Sequence, residues 1–140
     1  KGLDFAEMMD YARKVGGPKL RKMTFQERGL MLKALALHLH SIKNKFYAIT
    51  AGKKGVYWIE NGIIFNCKPP KIKVVETNCA GDVFHGAFAA FMHKKYSIME
   101  SMRLATATAT LKCTKNGGIY SIPSYSSVKN FVKKIQIRKI

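Results

Sequence analysis

The run from Val74 to Phe88, Val-Val-Glu-Thr-Asn-Cys-Ala-Gly-Asp-Val-Phe-His-Gly-Ala-Phe, most restricts what this chain can fold into. An apolar, strand-like stretch leads into a loop of small residues, and an acid stands where a helix opens. A helix start exposes unpaired backbone N–H groups and the positive end of the helix dipole. Small residues leave those donors open to phosphate oxygens, so Cys79, Ala80 and Gly81 form a candidate anion hole. Asp82, at the helix entrance, is placed to accept a proton from an attacking hydroxyl. The pattern suits phosphoryl transfer. A short Ala-Gly-Asp alone would read as an ordinary helix cap; the full run and its surroundings favour chemistry.

Those surroundings alternate strand and turn. Phe46 to Thr50 is a short β-prone run, Gly52 to Gly55 a basic turn, and Val56 to Glu60 a second strand. Asn61-Gly62 is a strong hairpin signal into Ile63 to Cys67. Pro69 and Pro70 break the pattern before Lys73 to Thr77, read as the strand feeding the small-residue loop. A helix is predicted from about Asp82 to Lys95, with Phe84, Phe88, Phe91 and Met92 on a core face, and another from Ser97 to Cys113. Lys115-Asn116-Gly117-Gly118 stops the second helix. Ser124 to Ile137 reads as a closing basic amphipathic helix with Val128, Phe131, Val132 and Ile135 inward.

The run Glu76-Thr-Asn-Cys-Ala-Gly-Asp82 with its Phe-x-Gly-Ala-Phe helix resembles the C-terminal signature of the ribokinase-like (PfkB) carbohydrate kinases, usually Asp-Thr-x-Gly-Ala-Gly-Asp. The resemblance covers about residues 49–140 and implies an α/β fold, the C-terminal portion of a ribokinase-like sandwich. It makes Asp82 the catalytic base and gives the anion-hole role to the Cys79, Ala80 and Gly81 amides. Glu76 replaces an Asp and Cys79 a Gly, the latter restricting φ at a loop position. Thr50-Ala-Gly52-Lys-Lys-Gly55 matches the family's Thr-x-Gly-x-x-Gly, which implies that Thr50, Gly52 and Gly55 lie against nucleotide. Residues 111–123, with Asn116, Gly117 and Ser121, resemble the segment bordering the adenine pocket and a monovalent-cation loop. ATP and Mg2+ are thereby implied, with K+ a further candidate held mostly by backbone carbonyls. Magnesium would be held chiefly by ATP phosphates and water, with Glu76 and Asn78 as indirect or carbonyl candidates.

The first third carries no strand signal and reads as two helices separated by Gly16-Gly17-Pro18. Thr24-Phe-Gln-Glu27 fits a capping box, and Leu30, Leu32, Leu35, Leu37 and Leu39 follow in an apolar run. Residues of about 4–48 resemble the N-terminal helical region of the bifunctional aldehyde dehydrogenase/enoyl-CoA hydratase of phenylacetate degradation. None of that enzyme's catalytic Cys, general base or dinucleotide fingerprint is included. The resemblances imply a two-helix segment of different origin over 1–48 joined near Lys45 to Thr50 to an incomplete kinase-like part over 49–140. A chimera, a misjoined frame or a mimicking helical extension would each give such a sequence.

A chain of 140 residues can bury a core but is short for a complete enzyme of the resembled family. Sugar-choosing segments would lie elsewhere, and another chain or self-association is expected to cover the exposed sheet edge. With 25 Lys plus Arg against 8 Asp plus Glu, the formal net charge of +17 favours polyanions. The lysines are spread along the chain without a nucleic-acid motif, so no specific nucleic-acid partner is expected. Cys67, Cys79 and Cys113 have no metal-type spacing and odd number, which argues against a disulfide scaffold. His38 and His40 are two apart on a helix and face different ways. With neither a secretory signal nor a membrane-length apolar run, a cytoplasmic protein without membrane partners is expected. The leading expectation is ATP-dependent phosphoryl transfer to a sugar hydroxyl. Alternatives are a non-catalytic nucleotide-binding or structural remnant and a fragment of the dehydrogenase/hydratase.

Overall fold

A computed structural model describes residues 4–43 and 46–140. The element order is α1 (Phe5–Tyr11), a π turn (Ala12–Gly16), α2 (Gly17–Lys22), α3 (Phe25–Lys43), β1 (Ala48–Thr50), β2 (Val56–Glu60), β3 (Ile63–Lys68), α4 (Ala80–His93), α5 (Ile98–Lys112), α6 (Tyr125–Phe131) and β4 (Gln136–Lys139). This is the expected mixed α/β arrangement, a small sheet with hairpin followed by helices.

The four strands form one antiparallel sheet in sequence order. The β2–β3 turn is the Asn61-Gly62 pair, both at positive φ (51° and 74°), which suits a tight hairpin matching strand twist. Alternation along β2 and β3 sends Val56, Trp58, Phe65 and Cys67 into one core with Phe84 and Phe91 of α4, Met102 and Ala105 of α5, and Val128 of α6. Trp58 is 1% exposed and stacks on Phe65 at 5.4 Å between centroids. Helix α5 is buried on nearly every side, and its Ala and Thr positions allow that. Thr108 and Thr110 hydroxyls donate to the Leu104 and Thr106 carbonyls, so these polar groups enter the core with partners.

Three expectations are corrected. First, the N-terminal helix does not break at Gly16-Gly17-Pro18. It passes through a π turn into α2, with Pro18 in the first turn, where its missing N–H is tolerated. A Cβ on Gly17 would lie 2.9 Å from the Ala12 carbonyl oxygen, so glycine permits the wide turn. The break falls at Met23-Thr24 instead, and the capping box then opens α3: Glu27 N–H donates to Thr24 Oγ1 at 3.2 Å while Thr24 N–H donates to Glu27 Oε2 at 2.6 Å. The side chains of Leu37, Leu39 and His40 lie outside the described residues, as does residue 45 at the start of the join expected near Lys45 to Thr50.

Second, residues 73–77 form no strand. Val74 and Val75 are exposed, and no neighbouring backbone offers a ladder; the amides of Val75 and Glu76 instead donate to the Cys113 carbonyl at 2.8 and 3.3 Å. Third, the closing helix ends at Phe131, and a single 3₁₀ turn leads into β4. Val128, Phe131, Val132 and Ile135 fit a helical period, but Ile135 and Ile137 equally fit a strand. The free edge of β3 decides, pairing Cys67 with Ile137 and Asn66 with Arg138. Among the described residues no helix is long and apolar enough to cross a membrane.

Candidate functional site

The turn between β1 and β2 is closed by its own backbone: Ala51 N–H donates to Gly55 O at 2.7 Å and Gly55 N–H to Gly52 O at 2.9 Å. Gly52 and Gly55 both take positive φ (52° and 91°), a region that disfavours side chains. Asn66 braces the turn from β3, its amide donating to the carbonyls of Lys54 and Val56 at 3.1 and 3.2 Å. Lys53 and Lys54 are left exposed at the tip.

Opposite this turn stands the N-terminus of α4. Cys79 is its N-cap, in the left-handed region at φ 58°, as expected for a position where the resembled pattern has Gly. The first helical bond is Val83 N–H to Cys79 O at 2.9 Å, so the amides of Ala80, Gly81 and Asp82 precede the helical ladder. Ala80 N–H is engaged with Thr77 O at 3.1 Å. The Asp82 side chain sits exposed in the first turn, beside buried Val83 and Phe84. His85 is exposed and meets the Phe84 ring edge-on.

Between turn and helix lies a cleft of about 820 Å3. It joins Thr50, Gly52 and Gly55 to Thr77, Ala80 and Gly81, with Thr106, Ala109 and Thr110 of α5 and its C-cap Cys113 as floor and Pro69, Pro70, Ile72 and Val74 as a wall. Four lysines, Lys53, Lys54, Lys68 and Lys71, line it, and among the described residues no carboxylate does. Apolar walls, small residues, ammonium groups and a helix start together suit a ligand with a flat ring and an anionic tail. The residues of the 68–74 wall carry no motif and escaped sequence reasoning; only a basic turn facing a helix start hinted at them.

A second cluster lies outside the cleft lining. Glu76 Oε2 accepts from Lys112 Nζ at 3.2 Å, Gly117 N–H at 3.1 Å and Gly118 N–H at 2.9 Å, and Glu76 Oε1 accepts from the Asn78 amide at 3.3 Å. The Gly118 amide foremost, and then the Lys112 ammonium, hold the Glu76 carboxyl below its usual range. Ser121 is buried and donates to Gly118 O at 2.8 Å, while Asn116 stands exposed in the loop. Thus Glu76, Asn78, Gly117 and Ser121 come together as a loop brace, and Thr50, Gly52, Gly55, Ala80 and Gly81 as a cleft. Nothing local in the sequence marks Lys112, whose partner lies 36 residues away. Among the described residues, no three or more His, Cys, Asp or Glu side chains converge as a metal site.

The profile of the pfkB family carbohydrate kinases matches residues 17–125. The chain belongs to that family. The match begins upstream of the join expected near residue 48 and runs through the hairpin, α4 and α5. A ribokinase of Lactococcus lactis is 36% identical over 89 residues, covering 64% of this chain and 30% of that protein. Among solved structures, a putative ribokinase from Agrobacterium tumefaciens matches with a TM-score of 0.68 at 30% identity, over 74% of this chain and 35% of its own. The ribokinase of Arabidopsis thaliana, complexed with ribose and ATP, matches with a TM-score of 0.59 at 34% identity, over 64% of this chain and 29% of its own. The chain therefore spans about 30% of the length of the curated pfkB relatives it matches.

Proposed function

We propose that this chain carries the nucleotide side and catalytic base of a pfkB-type sugar kinase, which moves the γ-phosphoryl group of ATP to a sugar hydroxyl. The observation that carries this reading is the cleft itself, lined by four lysines and by Ala80 and Gly81 of the α4 N-terminus, with the Asp82 carboxylate one residue beyond that lining. The ring of the nucleotide lies along the apolar wall, and Thr50, Gly52 and Gly55 bring backbone to it. The phosphates lie toward the lysines and the first-turn amides. With Ala80 N–H already spent on Thr77 O, the anion hole uses chiefly the Gly81 and Asp82 amides, and Cys79 contributes the turn that aims them.

Asp82 accepts the proton of the sugar hydroxyl as it attacks, and the amides stabilise charge on the transferred group. Magnesium, which shields phosphate charge, is carried by the phosphates and water. Glu76, Asn78 and Gly117 are committed to the brace, so they serve magnesium only indirectly, by holding the loop before α4. The protein functions in the cytoplasm.

Calorimetric titration with MgATP tests the cleft, and Asp82→Asn tests the base. The expected result is saturable binding that the variant retains while phosphoryl transfer falls by about 10²-fold or more. A second reading, a nucleotide-binding remnant, is favoured by the exposed Val74 and Val75, which leave the chain without the ladder expected there. It predicts MgATP binding with no transfer in either protein.

A further inference from the structure

The brace around Glu76 does not fit a bound monovalent cation. Such an ion needs several oxygen atoms turned toward it, yet Glu76 Oε2 is met by three N–H donors, from Lys112, Gly117 and Gly118. The carbonyls nearby are already engaged: Cys113 O accepts both the Val75 and Glu76 amides, and Gly118 O accepts the Ser121 hydroxyl on one of its two lone pairs. Lys112 is 0% exposed, at the end of α5, and its ammonium reaches a carboxylate 36 residues earlier in the chain. A buried ammonium is costly to hold unless paired, and here it is paired with the one carboxylate that gathers both loops.

We propose that the Lys112 ammonium is a covalently tethered internal cation, which takes the place of a bound monovalent ion and makes the order of this site independent of potassium. It neutralises Glu76, and Glu76 in turn pins the Gly117-Gly118 turn. Together with the Cys113 carbonyl, this fastens the loop before α4 to the loop after α5, so the orientation of the helix start that faces the cleft is set from within the chain. Lys112 is a positioning residue. Its effect on nucleotide rests on the proposed function, whereas its effect on loop order does not.

The test compares the natural chain with Lys112→Ala at constant ionic strength, exchanging choline for potassium up to about 100 mM, a range over which screening would otherwise change. Melting temperature and MgATP affinity are both followed. In the natural chain neither is expected to respond to potassium. In Lys112→Ala the melting temperature falls, affinity drops about tenfold, a size typical of coupling between sites, and potassium or methylammonium recovers both. A natural chain whose melting temperature rises with potassium would overturn the proposal, as would a folded Lys112→Ala protein that matches the natural chain in choline or that neither ion recovers. Should Lys112→Ala not fold, Lys112→Met, which fills the channel of the side chain without charge and leaves no space for an ion, is expected to melt below the natural chain and bind MgATP about tenfold more weakly in choline and potassium alike, and a Lys112→Met protein that matches the natural chain overturns the proposal. Failure of MgATP to bind any form would count against the kinase reading alone, because the melting temperatures still decide the role of Lys112.

Discussion

Cys79 takes a left-handed backbone that favours glycine, with φ 58° and no capping bond from its thiol. A side chain there costs about 1–2 kcal/mol, partly offset by the extra freedom that glycine loses on folding. Cys79→Gly is therefore expected to stabilise the chain by up to about 1 kcal/mol in urea unfolding. The thiols should also differ in reactivity. Cys79 is exposed, while burial pushes the Cys67 and Cys113 thiols up. Alkylation mapped by mass spectrometry should mark Cys79 first and Cys67 last. Glu76 gives a pH signature. Its folded carboxyl lies below the unfolded value of about 4.3, so its stabilisation is complete above that pH and is lost as pH falls through the folded value. Melting temperatures taken downward from neutral pH should drop more steeply in the natural chain than in Glu76→Gln.

At the scale of elements, Gly55 and Gly81 of the cleft serve different ends. A Cβ on Gly55 would collide with the Cys67 carbonyl oxygen and lie 2.7 Å from Lys68 Cα, at a φ of 91°. Gly55→Ala should thus destabilise the β1–β3 unit by about 2 kcal/mol or more. Gly81 has open space around it and no unusual φ, so the fold does not require glycine there. Gly81→Ala is expected to leave stability within about 0.5 kcal/mol of the natural chain. If phosphate approaches that backbone, the same change weakens MgATP binding by about tenfold, the effect of losing one hydrogen bond to a charged group. Undiminished affinity would place the phosphates elsewhere in the cleft.

Across the whole molecule, burial is uneven. The core cluster draws on β2, β3, α4, α5, α6 and Ile135, and among the described side chains none of its buried members comes from α1 to α3. Met8, Met9, Leu30 and Leu35 are exposed, as are most described side chains of those helices. Limited trypsin digestion should therefore cut first between Arg13 and Lys33, while the fluorescence of Trp58, the single tryptophan, stays that of a buried ring. Early loss of the Trp58 signal would mean that the helices support the core more than their burial indicates. The net charge of +17 acts at this scale too, and MgATP binding should weaken as salt rises.

Much of this was legible in the sequence because it is local. Asn61-Gly62 dictates a tight hairpin, Thr24 and Glu27 cap α3, Ser97 and Ser124 cap α5 and α6, and the small residues before Asp82 open a helix. Turn chemistry and side-chain period need only neighbours along the chain, and so does the family signature built from them. Tertiary structure decided what depends on distant partners. The edge of β3 turned residues 136–139 into a strand, whereas residues 73–77, equally β-prone, found no ladder and gave two amides to Cys113. The cleft gathers lysines from two separate stretches, and Lys112 meets Glu76 because the end of α5 lies against the loop before α4. A strand needs an edge and a buried charge needs a counter-charge, and neither is written at the position that requires it.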